Sequence, residues 1–83
     1  MTGTIIRYDR TKGYGFILPD DQTQSDCFVI AKSILEPRGR RWLLAGWRVD
    51  YTVIETDRGP QAQDVKVIQH TIARQTSSNS GVL

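Results

Sequence analysis

The stretch Lys12-Gly13-Tyr14-Gly15-Phe16-Ile17 decides how this chain reads. From Gly13 to Leu18, Tyr14, Phe16 and Leu18 alternate with Gly15 and Ile17 until Pro19 breaks the pattern. A period of two marks a strand, because successive side chains of an extended backbone point to opposite faces. The two glycines leave space beside two aromatic rings that project from the same face. Outward from this strand the rhythm repeats. Gly3 to Arg10, with Ile5, Ile6 and Tyr8, reads as a preceding strand that ends in the polar turn Asp9-Arg10-Thr11-Lys12. Asp20 to Ser25 is a polar loop in which the aspartates are turn formers. Asp26 to Ala31 is a short third strand with Cys27 and Val29 on one face and Phe28 and Ile30 on the other, Cys27 being a small core residue.

Lys32 to Leu35 suits one helical turn, and Glu36 to Trp42 is a loop of Arg, Gly and Pro whose like charges resist burial. Trp47 to Thr56 alternates Val49, Tyr51 and Val53. It turns at Asp57-Arg58-Gly59-Pro60 into a last strand through Val65, Val67 and Ile68. Five short strands with too little chain for parallel crossovers predict an all-β fold, a small five-stranded antiparallel barrel of the OB or SH3-like kind. Closure would remove the sheet edges that invite aggregation. The barrel is expected over residues 1–69. Beyond about His70 the sequence is rich in Ser, Thr, Asn and Gln with little to bury, which predicts a disordered tail over 70–83.

With 83 residues the chain has room for one domain. Its single cysteine excludes an internal disulfide, and Cys27 with His70 cannot form a closed zinc site, so neither metal nor cofactor is expected. No apolar run nears the ~20 residues a membrane helix needs, and no signal-peptide core opens the chain, which predicts a cytoplasmic protein without membrane contact. The net charge is +2, but it is unevenly spread. Segment 1–18 sets Arg7, Arg10 and Lys12 against Asp9, and segment 27–48 sets Lys32, Arg38, Arg40, Arg41 and Arg48 against Glu36. The acids collect elsewhere, at Asp20, Asp21, Asp26 and after Asp50. If the two basic segments share a face, the molecule is polarised beyond its net charge.

Catalysis lacks its parts. The lone histidine, His70, has no partner, Asp20 and Asp21 sit in a turn, and a calcium loop from Asp20 would lack its glycine and its terminal glutamate. Gly13-Tyr14-Gly15 begins a phosphate-loop pattern, but Leu18 stands where the third glycine belongs and no helix follows. What remains is the pair of rings. Two registers fit the second strand: Tyr14 and Phe16 toward solvent, or toward the core with Ile17 outside. The third strand favours the first, because Phe28 and Ile30 alternate with small residues and could lie beside Tyr14 and Phe16. Exposed flat rings are what unpaired bases stack on.

At these residues the chain resembles the bacterial cold-shock domain family over roughly residues 2–68. Lys12 to Ile17 resembles the first ribonucleoprotein motif of that family and Asp26-Cys27-Phe28-Val29-Ile30 the second. Gly3-Thr4-Ile5 resembles its opening strand, Leu43 with Gly46, Val49 and Tyr51 its fourth-strand pattern, and Arg58-Gly59-Pro60-Gln61-Ala62 with Val65 its last turn and strand. The resemblance implies an OB barrel that binds single-stranded RNA and DNA, with Lys12 on phosphate, Tyr14, Phe16 and Phe28 stacking, and Arg58 on backbone or base. The chain departs from the pattern at Arg7, where the family has tryptophan, at Ile30, where it has histidine, and at Ala31, where it has phenylalanine. At ~1–3 kcal/mol per stack, three lost rings could remove ~3–6 kcal/mol even with partial compensation. Arg7 can stack or pair with phosphate, and the Arg38-Gly39-Arg40-Arg41-Trp42 loop brings three cations and an indole, unless Trp42 folds back beside Leu43 onto the core. Trp47 suits a core lid as well as a ligand platform. A second expectation is a protein or homodimer contact through Phe28, Ile30 and Ala31.

Overall fold

A computed structural model describes residues 1–69; His70 and the expected tail over 70–83 lie outside the described residues. The elements in chain order are β1 (Thr2–Asp9), β2 (Tyr14–Pro19), β3 (Cys27–Ile30), a single 3-10 turn (Ala31–Ser33), β4 (Ile34–Glu36), β5 (Arg48–Thr56) and β6 (Gly59–Gln69). The sheet order is β3-β2-β1-β5-β6-β4, and an additional pairing of β3 with β6 joins the two sides into a ring. The fold is thus all-β, a small OB-type barrel. Four of its contacts are antiparallel, β1 with β2, β1 with β5, β2 with β3 and β5 with β6. The closing contact, Phe28 opposite Gln61, is parallel, as is the pairing of β4 with β6. A parallel closure was not foreseen: it needs no crossover helix because the chain travels round the ring between the two strands. Nor was β4, which lies in the stretch that reads as a helical turn and the start of a loop. Three residues are too few to display an alternation, and only Ile34 of the three is buried.

The core consists of Ile5, Ile17, Cys27, Val29, Ile34, Leu43, Trp47, Val49, Tyr51, Ala62 and Val65. All six strands contribute to it, and their alternation leaves the intervening side chains outside. Cys27 is buried as expected, and burial pushes its thiol up to about 11, so it packs and does not react. Leu43 and Trp47 come from the irregular stretch between β4 and β5. That stretch is pinned to β1 by the Ile5 amide donating to the Trp47 carbonyl at 2.9 Å and the Gly46 amide donating to the Ile5 carbonyl at 2.8 Å. Trp47 is 7% exposed, which settles its role as a lid on the core.

Asp21 is the turn former expected of it, accepting hydrogen bonds from the Thr23 amide at 3.0 Å and hydroxyl at 2.6 Å. Asp20 is not. Both its carboxylate oxygens accept from the Arg48 guanidinium at 2.6 Å, and the Thr2 hydroxyl donates to it at 2.6 Å. Arg48 therefore adds no free charge to the basic segment that contains it in sequence. These hydrogen bonds, from Arg48 first and Thr2 second, hold the Asp20 carboxyl well below the usual carboxylate range. A depressed folded-state value gives stabilisation that is complete above the unfolded value of about 3.9 and fades as pH falls below it. Thermal melts should lose Tm progressively as pH falls below about 4, and Arg48→Gln should lose less over that range. Equal losses in the two proteins would contradict the pairing.

Candidate nucleic-acid interface

The face in question begins with an irregularity in β1. Its register against β2 runs Ile5 opposite Ile17 and then Arg7 opposite Phe16, so Ile6 is an extra residue, a β-bulge. Ile6 and Arg7 are consequently both exposed although adjacent in sequence, and Tyr8 turns inward to pack against the core. Without the bulge Arg7 would alternate to the interior. With it, the Arg7 guanidinium carbon sits 5.2 Å from the centre of the Phe16 ring.

The turn from β1 to β2 is held by the Asp9 carboxylate, which accepts from the amides of Thr11 at 2.9 Å and Lys12 at 3.0 Å. Gly13 closes it with φ of 76°, a left-handed conformation costly for other residues. Lys12 is thereby left exposed at the rim of a 580 Å³ groove that Arg7, Arg10, Tyr14 and Phe16 also line. Gly15 plays a part other than the one its sequence position suggests. It is buried on the face opposite the rings, and a Cβ there would overlap the Arg7 carbonyl and lie 2.8 Å from Tyr8 Cα. Its bareness lets β1 and β2 close together at the bulge; it does not make room beside the aromatics.

Tyr14, Phe16 and Phe28 all lie outside the core, half-buried. The register places Tyr14 opposite Ile30 and Phe16 opposite Phe28, which resolves the direction of β2 in favour of rings toward solvent. The three rings form a triangle with centres 6.2 Å (Tyr14 to Phe16), 5.4 Å (Tyr14 to Phe28) and 5.7 Å (Phe16 to Phe28) apart. Closure of the barrel brings the β5–β6 hairpin to this triangle. Its turn residues Asp57 and Arg58 are followed by Gly59 at φ of 104°, and the Arg58 guanidinium carbon lies 6.0 Å from the Phe28 ring centre. Ile30 and Ala31 continue the face as half-buried apolar residues.

Trp42 folds back as one of the two expectations had it, packing on the core edge with its ring centre 5.5 Å from that of Trp47. Arg10 and Arg40, one from each basic segment, place their guanidinium carbons 4.4 and 4.2 Å from the Trp42 ring centre, so the two segments do meet. Arg40 also lies 5.0 Å from the Trp47 ring centre and is half-buried, whereas Arg38 and Arg41 are exposed. The Tyr8 hydroxyl donates to the Arg41 carbonyl at 3.2 Å and ties this loop to β1.

Two residues take places on this face that the sequence reading does not assign them. Arg10, a turn residue and one of the cations of segment 1–18, links the Trp42 cluster to the groove. Asp26, grouped by charge with the acids although it opens the second motif, lines a groove with Ile6, Arg7 and Phe16. Its place directly before Phe28's strand is the available signal. As a whole the surface offers flat rings edged by cations: it can stack planar groups and neutralise anions. An exposed cation–π contact is worth ~0.5–1 kcal/mol, less than the ~1–3 kcal/mol of a stacked base, so a base can displace Arg7 and Arg58 from their rings.

Residues 1–68 match the model of the family described as the 'Cold-shock' DNA-binding domain. The chain is 43% identical over 68 residues to a cold shock-like protein, CspA, of Vibrio cholerae, covering 82% of this chain and 94% of that one. It is 38% identical over 66 residues to a cold shock-like protein of Aquifex aeolicus, covering 80% and 91% respectively. A cold shock-like protein of Thermotoga maritima is 39% identical over 69 residues, 83% of this chain and all of that one.

Proposed function

The chain belongs to the 'Cold-shock' DNA-binding domain family, and on that premise we propose that it binds single-stranded RNA and DNA with little sequence preference and keeps them unpaired, as a nucleic-acid chaperone. The observation that carries this reading is the outward triangle of Tyr14, Phe16 and Phe28 with Arg7 and Arg58 over two of its rings. Every base has a flat face, so stacking tolerates sequence, and the displaced Arg58 guanidinium becomes free for phosphate. Lys12 serves phosphate at the groove rim, with Arg41 and, through Trp42, Arg40 extending the charged path. Ile30 supplies apolar contact where a ring would add a stack. On this reading the protein is a binder without catalytic chemistry, acting in the cytoplasm through the barrel of residues 1–69.

Fluorescence anisotropy with short pyrimidine and mixed oligonucleotides at two salt concentrations tests the reading. Neutralising three to five phosphates predicts a slope of log K against log salt of about −2 to −3.5 for single strands. A weak hairpin carrying a fluorophore and quencher should also open as protein is added. Absence of binding at millimolar protein in low salt would refute the reading. The competing reading, a protein or homodimer contact through Phe28, Ile30 and Ala31, draws on the half-buried apolar side chains beside the triangle. It predicts self-association or a captured partner that Ile30→Asp abolishes while oligonucleotide binding persists.

A further inference from the structure

Beyond the triangle, a groove of 300 Å³ is lined by Ile6, Arg7, Phe16 and Asp26. It exists because the bulge turns Ile6 and Arg7 to the same side of β1, beside Phe16. Its two charged groups are of opposite sign, yet they form no ion pair with each other, and Asp26 is exposed. Each therefore retains its hydrogen-bonding capacity toward whatever enters. A phosphate would suit Arg7 but be repelled by Asp26. A planar base stacked on Phe16 would meet a donor fork on one side and a carboxylate on the other.

We propose that this groove reads one base of the bound strand and prefers guanine, an inference that rests on the single-strand reading above. Guanine places two acceptors, O6 and N7, next to each other, which a guanidinium engages with two parallel hydrogen bonds. Its N1–H and exocyclic amino group lie side by side on the adjoining edge and suit the two oxygens of one carboxylate. Cytosine offers a carboxylate the donors of N4 alone, adenine those of N6 alone, and uracil only N3–H. The two charge-assisted pairs thus act together on guanine and singly or not at all on the others. Recognition of unstacked bases through both edges is the ordinary means of reading single strands. The rest of the face remains tolerant, so the strand can slide until a guanine seats in this groove.

The test compares heptamers of uridine with heptamers carrying one central guanosine, adenosine, cytidine, inosine or 7-deazaguanosine, by anisotropy at fixed salt. The guanosine strand should bind about tenfold tighter than the all-uridine strand, the low end expected for a bidentate contact that solvent can reach. Inosine, which lacks the exocyclic amino group, and 7-deazaguanosine, which lacks N7, should each lose part of that advantage. The isosteric Asp26→Asn, which keeps the Arg7 contact but loses the carboxylate, should lower the guanosine-to-uridine affinity ratio severalfold, and Asp21→Asn, in the neighbouring loop, should retain the wild-type ratio. Equal affinity for all strands, or a ratio unchanged in Asp26→Asn, would overturn the guanine proposal while leaving single-strand binding intact. Failure of every strand to bind would overturn the function on which it rests.

Discussion

Alanine in place of Phe28 is expected to weaken binding of a short single strand by about ten- to a hundredfold, the value of one base stack. Phe28 is the ring closest to both of its neighbours, at 5.4 and 5.7 Å, and it has Arg58 beside it. Its removal takes away a platform, exposes the flanks of Tyr14 and Phe16, and leaves Arg58 without the ring that positions it. Because Phe28 lies outside the core, the barrel should still fold and melt cooperatively. Phe28→Tyr, which retains the aromatic face, should bind nearly as the wild type does. Anisotropy titrations paired with thermal melts separate the two effects. Unchanged affinity in a folded Phe28→Ala protein would remove the ring from the site.

Gly15→Ala should do the reverse and strike the fold. The added methyl would overlap the Arg7 carbonyl and approach Tyr8 Cδ2 to 2.7 Å and Tyr8 Cα to 2.8 Å. These are mostly backbone atoms of the adjoining strand, so the strands must part at the bulge. Overpacking of this kind costs about 3 kcal/mol at the upper end of its usual range, a fall in Tm of roughly 12–24 °C for a domain of this size. That is a large share of the total stability expected of a small barrel. Because the bulge also aims Arg7, affinity should fall too when measured below the new Tm. A melting temperature within a few degrees of wild type would show that β1 and β2 can separate freely there.

The division between these two residues shows where the sequence was informative. Alternation exposed the barrel: a period of two separates Ile17, Cys27 and Val29 from Tyr14, Phe16 and Phe28, but it left two directions open for β2, a choice that the third strand weighted toward solvent-facing rings and the pairing of β2 with β3 resolved. Periodicity describes one strand at a time, however, and misses what depends on two. The Ile6 bulge arises from the register of β1 on β2, so nothing in Ile5-Ile6-Arg7 alone announces that two neighbours face the same way. The role of Gly15 was misread for the same reason: its missing Cβ matters to a strand that the local pattern does not contain. Charge was the least legible quantity. Arg48 is paired with Asp20, 28 positions earlier, Arg40 rests on two indoles, and Asp26 joins the aromatic face, although segment sums placed all three otherwise. Short elements suffered too, since Ile34–Glu36 has no room for a pattern.

The central claim is that the outward rings of β2 and β3 form the binding face. A ¹⁵N–¹H correlation titration with a short unpaired oligonucleotide tests it most directly. The predicted result is a set of shifting amides centred on Arg7, Lys12, Tyr14 to Phe16, Asp26 to Ile30 and Arg58 and extending to Arg40 and Arg41, with Asp50 and Thr52 of β5 unmoved. Shifts that centre on Asp50 and Thr52 while those of Phe16 and Phe28 stay fixed would contradict it.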